Sequence, residues 1–304
     1  MADLILHNYP MSPFSEKIRA MLGYTGLDWQ SVTVREMAPR PKLEALTGGY
    51  RKIPVAQDGA DIHCDTREIA REIAARAERP ELALEHNSDA VQTFVREADL
   101  ELFLACVIGA SGPGMLAKLA KETSVTNALR FLWDRASIGR TAKVSAMSPK
   151  QARTRIEQHL ERLEDMLERD FLFGEKPCVA DFSAYHGLWY VRELAERAVI
   201  RDYPKVNGWM DRIQAFGHGT RRDLSEEGAL EQARQAEPKE IDAPGEDPLL
   251  GRMVSVAPDD YARDPVTGTL VAASEHKLIL SRESGDLGRL HVHFPKAGFQ
   301  LRQA

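Results

Sequence analysis

The residues best placed to do chemistry begin at the stretch Asn8-Tyr9-Pro10-Met11-Ser12-Pro13-Phe14-Ser15-Glu16-Lys17-Ile18-Arg19. Phe14, Ile18, Met21 and Leu22 fall at i, i+4, i+7 and i+8, which is a helical period. Ser12 stands where an N-cap belongs and Pro13 at the first helical position. A short strand, Leu4 to Leu6, precedes them. A hydroxyl is therefore held at the positive end of a helix dipole, just past a strand, where an anion and a thiolate in particular is stabilised. The same pair is also an ordinary helix cap.

Asp65-Thr66-Arg67-Glu68 has the same two faces. As structure it is a capping box, with Asp65 at the N-cap and Glu68 at N3. As chemistry it sets a carboxylate, a hydroxyl and free backbone N–H groups at a helix start. Asp65 suits the ammonium of an α-amino acid; Thr66 and the helix end suit its carboxylate. Between these stretches, Pro54 follows Ile53 inside an apparent strand, where it cannot donate to a ladder. Either this is an edge-strand proline, or a cis peptide frees the backbone of Ile53 to pair with something outside the sheet.

The elements that must position these residues alternate between periods of 3.6 and 2. The expected helices run from Pro13 to about Tyr24, around Leu43 to Leu46, and from Asp65 to about Arg79; the strands are Leu4–Leu6, Trp29–Val34, Ile53–Gln57 and Asp61–Cys64. The order βαβαββα gives a small mixed sheet with helices on its faces. At 304 residues the chain is long enough for two or three domains. A net charge of −6 argues against general nucleic-acid or anionic-membrane binding. No signal peptide or membrane-length apolar run is seen. The three cysteines, Cys64, Cys106 and Cys178, are few and far apart, which points to free thiols and a cytoplasmic location.

Ser-Pro-Phe-Ser-x-Lys-Ile-Arg at 12–19, Lys-Ile-Pro-Val at 52–55 and Asp-Thr-x-x-Ile at 65–69 together resemble the glutathione S-transferases, of the serine type. The resemblance implies a thioredoxin-like N-terminal domain over residues 1–79 and an all-helical transferase domain over 89–240. It also implies glutathione as co-substrate. Ser12 would then contact the glutathione sulfur, with Ser15 as the fallback. The backbone of Ile53, before a cis Pro54, would pair with the cysteinyl amide. Lys52 would approach the glycyl carboxylate, with Arg40 or Lys42 as further candidates there. Asp65 and Thr66 would hold the γ-glutamyl end. The electrophile would lie between the domains, near Phe103, Val107 and Met115.

Such an enzyme conjugates the thiolate to a small electrophile. Depressing a thiol pKa of about 8.5 by about two units needs roughly 2.7 kcal/mol. One charge-assisted hydrogen bond of about 1.5–3 kcal/mol plus about 0.3–1 kcal/mol from the dipole can supply it. A serine rather than a cysteine at position 12 favours conjugation, or peroxide reduction in which glutathione is the thiol. The alternatives are a glutathione-dependent peroxidase and a non-catalytic binding or scaffold protein of the same fold. The family's habit predicts a homodimer.

Beyond residue 80 the chain is expected to be helical to about 236, with Cys178 and Asp181 opening a buried helix as a weak capping box. Residues 223–247 have the composition of a linker. After it the period changes to two, and four or five short strands between 253 and 301 form a small antiparallel β-module over residues 249–304. At roughly 55 residues it is near the limit for standing alone, so docking on the helical domain or on a dimer mate is expected. His291 and His293 share one strand face at a metal-binding spacing, but no third ligand is evident, so the expectation is a half-exposed strand face and no metal. The acidic cluster Pro258-Asp259-Asp260-Tyr261 has the same two readings and the same expectation, a half-exposed face and no metal.

Overall fold

The computed structural model describes residues 3–112 and 147–304; Met115 lies outside the described residues. β1 (Leu4–Asn8), α1 (Pro13–Thr25), β2 (Trp29–Thr33), α2 (Pro41–Thr47), β3 (Val55–Asp58), β4 (Asp61–Cys64) and α3 (Thr66–Ala77) follow the expected βαβαββα order. β1 pairs β2 in parallel, as a strand–helix–strand crossover requires, and β3 and β4 extend the sheet antiparallel. Ser12 caps α1 by accepting the Ser15 N–H, and Gly26 ends the helix at φ 67°, a left-handed conformation that glycine reaches without strain. The thioredoxin-like fold of the N-terminal domain is therefore present.

The described helices of the second domain are α4 (Asp89–Glu97), α5 (Phe103–Ala110), α6 (Pro149–Met166), α7 (Val179–Trp189) and α8 (Pro204–Ala215). A wide π-helical turn, Ala98–Leu102, joins α4 to α5. α7 is buried along nearly all its length, and its weak cap is rescued by Asp181. That carboxylate accepts from the backbone of Cys178 and Leu172 and from the Trp209 indole, each at 2.9 Å. One large core runs from Leu6, Ile18 and Ile73 through Phe94 and Leu160 to Phe182 and Trp209, joining the helical domain to α1 and α3. Among the described residues no helix is long and apolar enough to cross a membrane.

The C-terminal strands depart from expectation in where they dock. β5 (Arg221–Asp223), α9 (Glu226–Arg234), β6 (Met253–Pro258), β7 (Val266–Ala273), β8 (Lys277–Glu283), β9 (Arg289–Pro295) and β10 (Phe299–Gln303) complete the described chain. They extend the N-terminal sheet at both ends, giving one ten-stranded sheet in the order β10-β6-β7-β8-β9-β4-β3-β1-β2-β5. The module therefore sits on the edge strand β4, through a parallel β4–β9 pairing, and not on the helical domain. The physical reason is that each partner offers an open edge of unpaired N–H and C=O groups, and pairing satisfies both. Nor does the module rely on a core of its own. Val256, Leu280, Val292 and Phe294 pack in the same cluster as Ile5, Val55 and Ile62. The linker composition also conceals α9, whose Ala229, Leu230 and Ala233 cover this second core.

Candidate active site

Arg19, on α1, fixes the loop that carries Ser12. Its guanidinium donates to the Asn8 side chain and to the carbonyls of Tyr9 and Pro10, and pairs with Glu16 at 2.8 Å. Ser12 is 2% exposed, and its Oγ accepts the Ser15 N–H at 3.2 Å. A serine hydroxyl keeps its proton to donate after accepting one bond. Ser15 is fully buried, with no hydrogen-bond partner for its Oγ.

Ile53–Pro54 is a cis peptide, as the second of the two sequence readings requires. Asp65 caps α3 through the Arg67 N–H at 3.0 Å and also receives the Arg67 Nε at 3.1 Å. Its φ of 79° is a costly conformation for a non-glycine residue. Burial alone would raise the Asp65 carboxyl, but Arg67 and Lys52 outweigh it and hold it below the usual range. The expected capping box is not formed. Glu68 turns away from the helix start, toward His63, Arg71 and Lys277.

These segments converge. Lys52, Ile53, Pro54, Asp65, Thr66 and Arg67 line one cavity of about 240 Å³, with Phe14 from the first turn of α1 and Asp99 and Leu100 from the π-helical turn. Ser12 does not line it; it stands two residues before Phe14. Phe103 and Val107 do not line it either. Phe103 stacks on His186 and touches Phe14, with ring centroids at 5.2 and 4.5 Å. Val107 packs against the large core. Arg40 turns to the carbonyls of Arg35 and Arg51 and lines a separate cavity, while Lys42 pairs with Glu227 at 2.7 Å.

The C-terminal module supplies the wall that the sequence did not disclose. Asp259, Asp260, Tyr261 and Gly298 line the same cavity. Lys52 Nζ donates to both Asp260 oxygens, at 2.6 and 2.8 Å, and lies 4.1 Å from the centre of the Tyr261 ring. Gly298, at φ 79°, lets the β9–β10 turn approach Arg67, whose Nη2 lies 2.9 Å from where a Cβ would stand. The acidic run at 259–261, expected as a half-exposed face without a role, is thus part of the cavity wall. The only signal for it in the sequence is a carboxylate and an aromatic ring side by side.

The glutathione S-transferase N-terminal domain model matches residues 6–81 and the C-terminal domain model matches residues 126–215. Among solved structures, a GST-like protein from Pseudomonas syringae is similar at 36% identity and a TM-score of 0.72, over 100% of both chains. That alignment therefore takes in the C-terminal strands. A glutathione S-transferase from Rhodospirillum rubrum F11 shares the fold at 16% identity and a TM-score of 0.50, over 70% of this chain and 88% of its own. FzlA from C. crescentus does so at 21% and 0.50, with the same coverage. No curated protein matches by sequence. Two domain models in family order and a full-length relative at 36% identity lead to one conclusion: the chain belongs to the glutathione S-transferase family.

Proposed function

We propose that the chain binds glutathione in the cavity between Lys52–Pro54 and Asp65–Arg67 and presents its thiol to the start of α1 for attack on a small electrophile. The observation that carries this reading is the convergence of five separately identified residues, Lys52, Ile53, Pro54, Asp65 and Thr66, on one cavity next to the first turn of α1. Asp65 takes the γ-glutamyl ammonium. Thr66 and the N-terminus of α3 take the adjoining carboxylate. The backbone of Ile53 pairs with the cysteinyl amide, and Lys52 takes the glycyl carboxylate once Asp260 has moved aside.

The Ser12 hydroxyl then donates to the sulfur, and the α1 dipole adds to the stabilisation of the thiolate. The thiolate electron pair forms the new S–C bond while a leaving group departs with its own pair. The test is the ultraviolet absorbance of the bound thiolate across pH. Wild type is expected to form thiolate at a lower pH than Ser12→Ala; coincident curves would remove Ser12 from the reaction.

The burial of Ser12 favours a second reading, a binding protein that keeps the ligand cavity and lacks the chemistry. Glutathione that binds with an unshifted thiol in wild type would select it. The resemblance further suggests a two-fold dimer, which sedimentation of the full chain tests.

A further inference from the structure

The seam between the thioredoxin-like domain and the appended strands holds a cluster that the glutathione reading does not use. In the parallel register Asp61 lies beside His291 and His63 beside His293. Alternation along a strand puts all four side chains on one face of the sheet. Glu68, from α3, reaches His63 on that face at 3.4 Å. The face is not half-exposed as the sequence suggested: His63 is 2%, His293 6% and His291 9% exposed. The missing third ligand is supplied by β4, which the sequence could not place next to β9.

Three ring nitrogens in this cluster, His63 Nε2, His291 Nδ1 and His293 Nδ1, are buried with no hydrogen-bond partner, and of these His291 Nδ1 is the one that faces Asp61. Such groups are costly unless something satisfies them. Two overlapping sets bring their ligand atoms within 4.8 Å of one another: Asp61, His291 and His293, and His63, Glu68 and His293. Charge separates the two. Glu68 is already neutralised by Lys277 at 3.0 Å and by Arg71. Among the described residues Asp61 has no lysine or arginine side chain in contact; its other oxygen takes the Lys239 backbone N–H at 2.9 Å.

We propose that Asp61, His291 and His293 bind a divalent transition-metal ion of the zinc class, which cross-links the C-terminal strands to the N-terminal domain. Nitrogens and oxygens at about 2.0–2.1 Å from a tetrahedral zinc lie about 3.3 Å from one another. The contacts of Asp61 Oδ1 with His293 Nε2 at 2.6 Å and with His291 Nδ1 at 3.9 Å bracket that spacing. Two imidazoles and one carboxylate leave a fourth position for water. The ion takes the place of the hydrogen bond between His293 Nε2 and Asp61 Oδ1, and the imidazole keeps its proton on Nδ1. His63, stacked on His293 with centroids 4.5 Å apart, backs the site.

The test is calorimetric titration of the chelator-treated full chain with Zn²⁺. One ion per chain is expected. His291→Ala is expected to weaken binding by at least about tenfold. The control His276→Ala, at a half-exposed histidine, is expected to leave it unchanged. No stoichiometric uptake by wild type, or full affinity in a folded His291→Ala, would overturn the proposal. Should that variant fail to fold, Co²⁺-loaded wild type decides. Ligand-field bands without sulfur charge transfer support the site, and a sulfur band would place the ion on a cysteine and overturn it.

Discussion

Lys52 and Asp260 stand 208 positions apart in the chain, yet the Lys52 ammonium lies 2.6 Å from the nearer Asp260 oxygen, inside the cavity that gathers the other ligand-binding candidates. An acidic side chain of the appended strands therefore occupies the cation that the glutathione reading reserves for the glycyl carboxylate. Binding and the Lys52–Asp260 pair compete for one ammonium.

Asp260→Ala should therefore bind glutathione more tightly than wild type. The pair is partly exposed, with side chains 13% and 25% accessible, so its worth is discounted to about 1 kcal/mol at most. That corresponds to a gain of up to about fivefold in affinity. Calorimetry on the two proteins checks it; equal or weaker binding would mean that Asp260 supports the ligand rather than excluding it.

Ser12→Ala should lower kcat/KM toward an electrophile by about ten- to a hundredfold, the worth of one charge-assisted hydrogen bond. Glutathione affinity should change little. Because Ser12 also caps α1, stability should fall by about 1 kcal/mol. Steady-state kinetics beside urea unfolding separates the two effects.

Asp181→Ala should be among the more damaging single changes in the helical domain. It strands the Cys178 and Leu172 N–H groups and the Trp209 indole, all buried. A loss of about 3 kcal/mol or more is expected in urea unfolding, and Asp181→Asn, which keeps one acceptor oxygen, should lose less.

Acid should destabilise the fold in two stages. Burial holds His7 and His186 down to about 4 and His159 down to about 3. The unfolded chain protonates near 6.5, so the stability these groups confer is full above that pH and is lost as pH falls toward the folded values. Burial alone would raise Glu72, but His63 and Arg76 outweigh it and hold it at about 2, so its contribution is lost between about 4.5 and 2. His186 is fully buried and stacked on Phe14 and Phe103. His186→Leu removes one of the three histidine terms and should recover about 2 kcal/mol at pH 5 relative to wild type. Urea midpoints at pH 7.5 and pH 5 measure it.

The half of the site that was legible in the sequence is the half built from helix starts. Ser12-Pro13 and Asp65-Thr66 announce caps through local preferences, and Ile53-Pro54 announces an interrupted strand. Each is settled by neighbours a few residues away. Glu68 broke the local rule because Lys277, Arg71 and His63 offer it more than its own helix N-terminus does. The other wall was not legible. Asp260 and Tyr261 reach the cavity only because β9 pairs with β4, and strand alternation records which face is apolar but not which edge it will join. The same pairing buried His291 and His293, which the sequence placed on a half-exposed face.

The central claim is that the cavity beside α1 binds glutathione through Asp65. Calorimetric titration of the purified chain with reduced glutathione, wild type against Asp65→Asn, tests it most directly; the asparagine keeps the cap of α3 and removes the charge. The account predicts saturable binding at one site per chain, weakened by about tenfold or more in the variant. No binding in wild type up to several millimolar, or equal affinity in the two proteins, would contradict it.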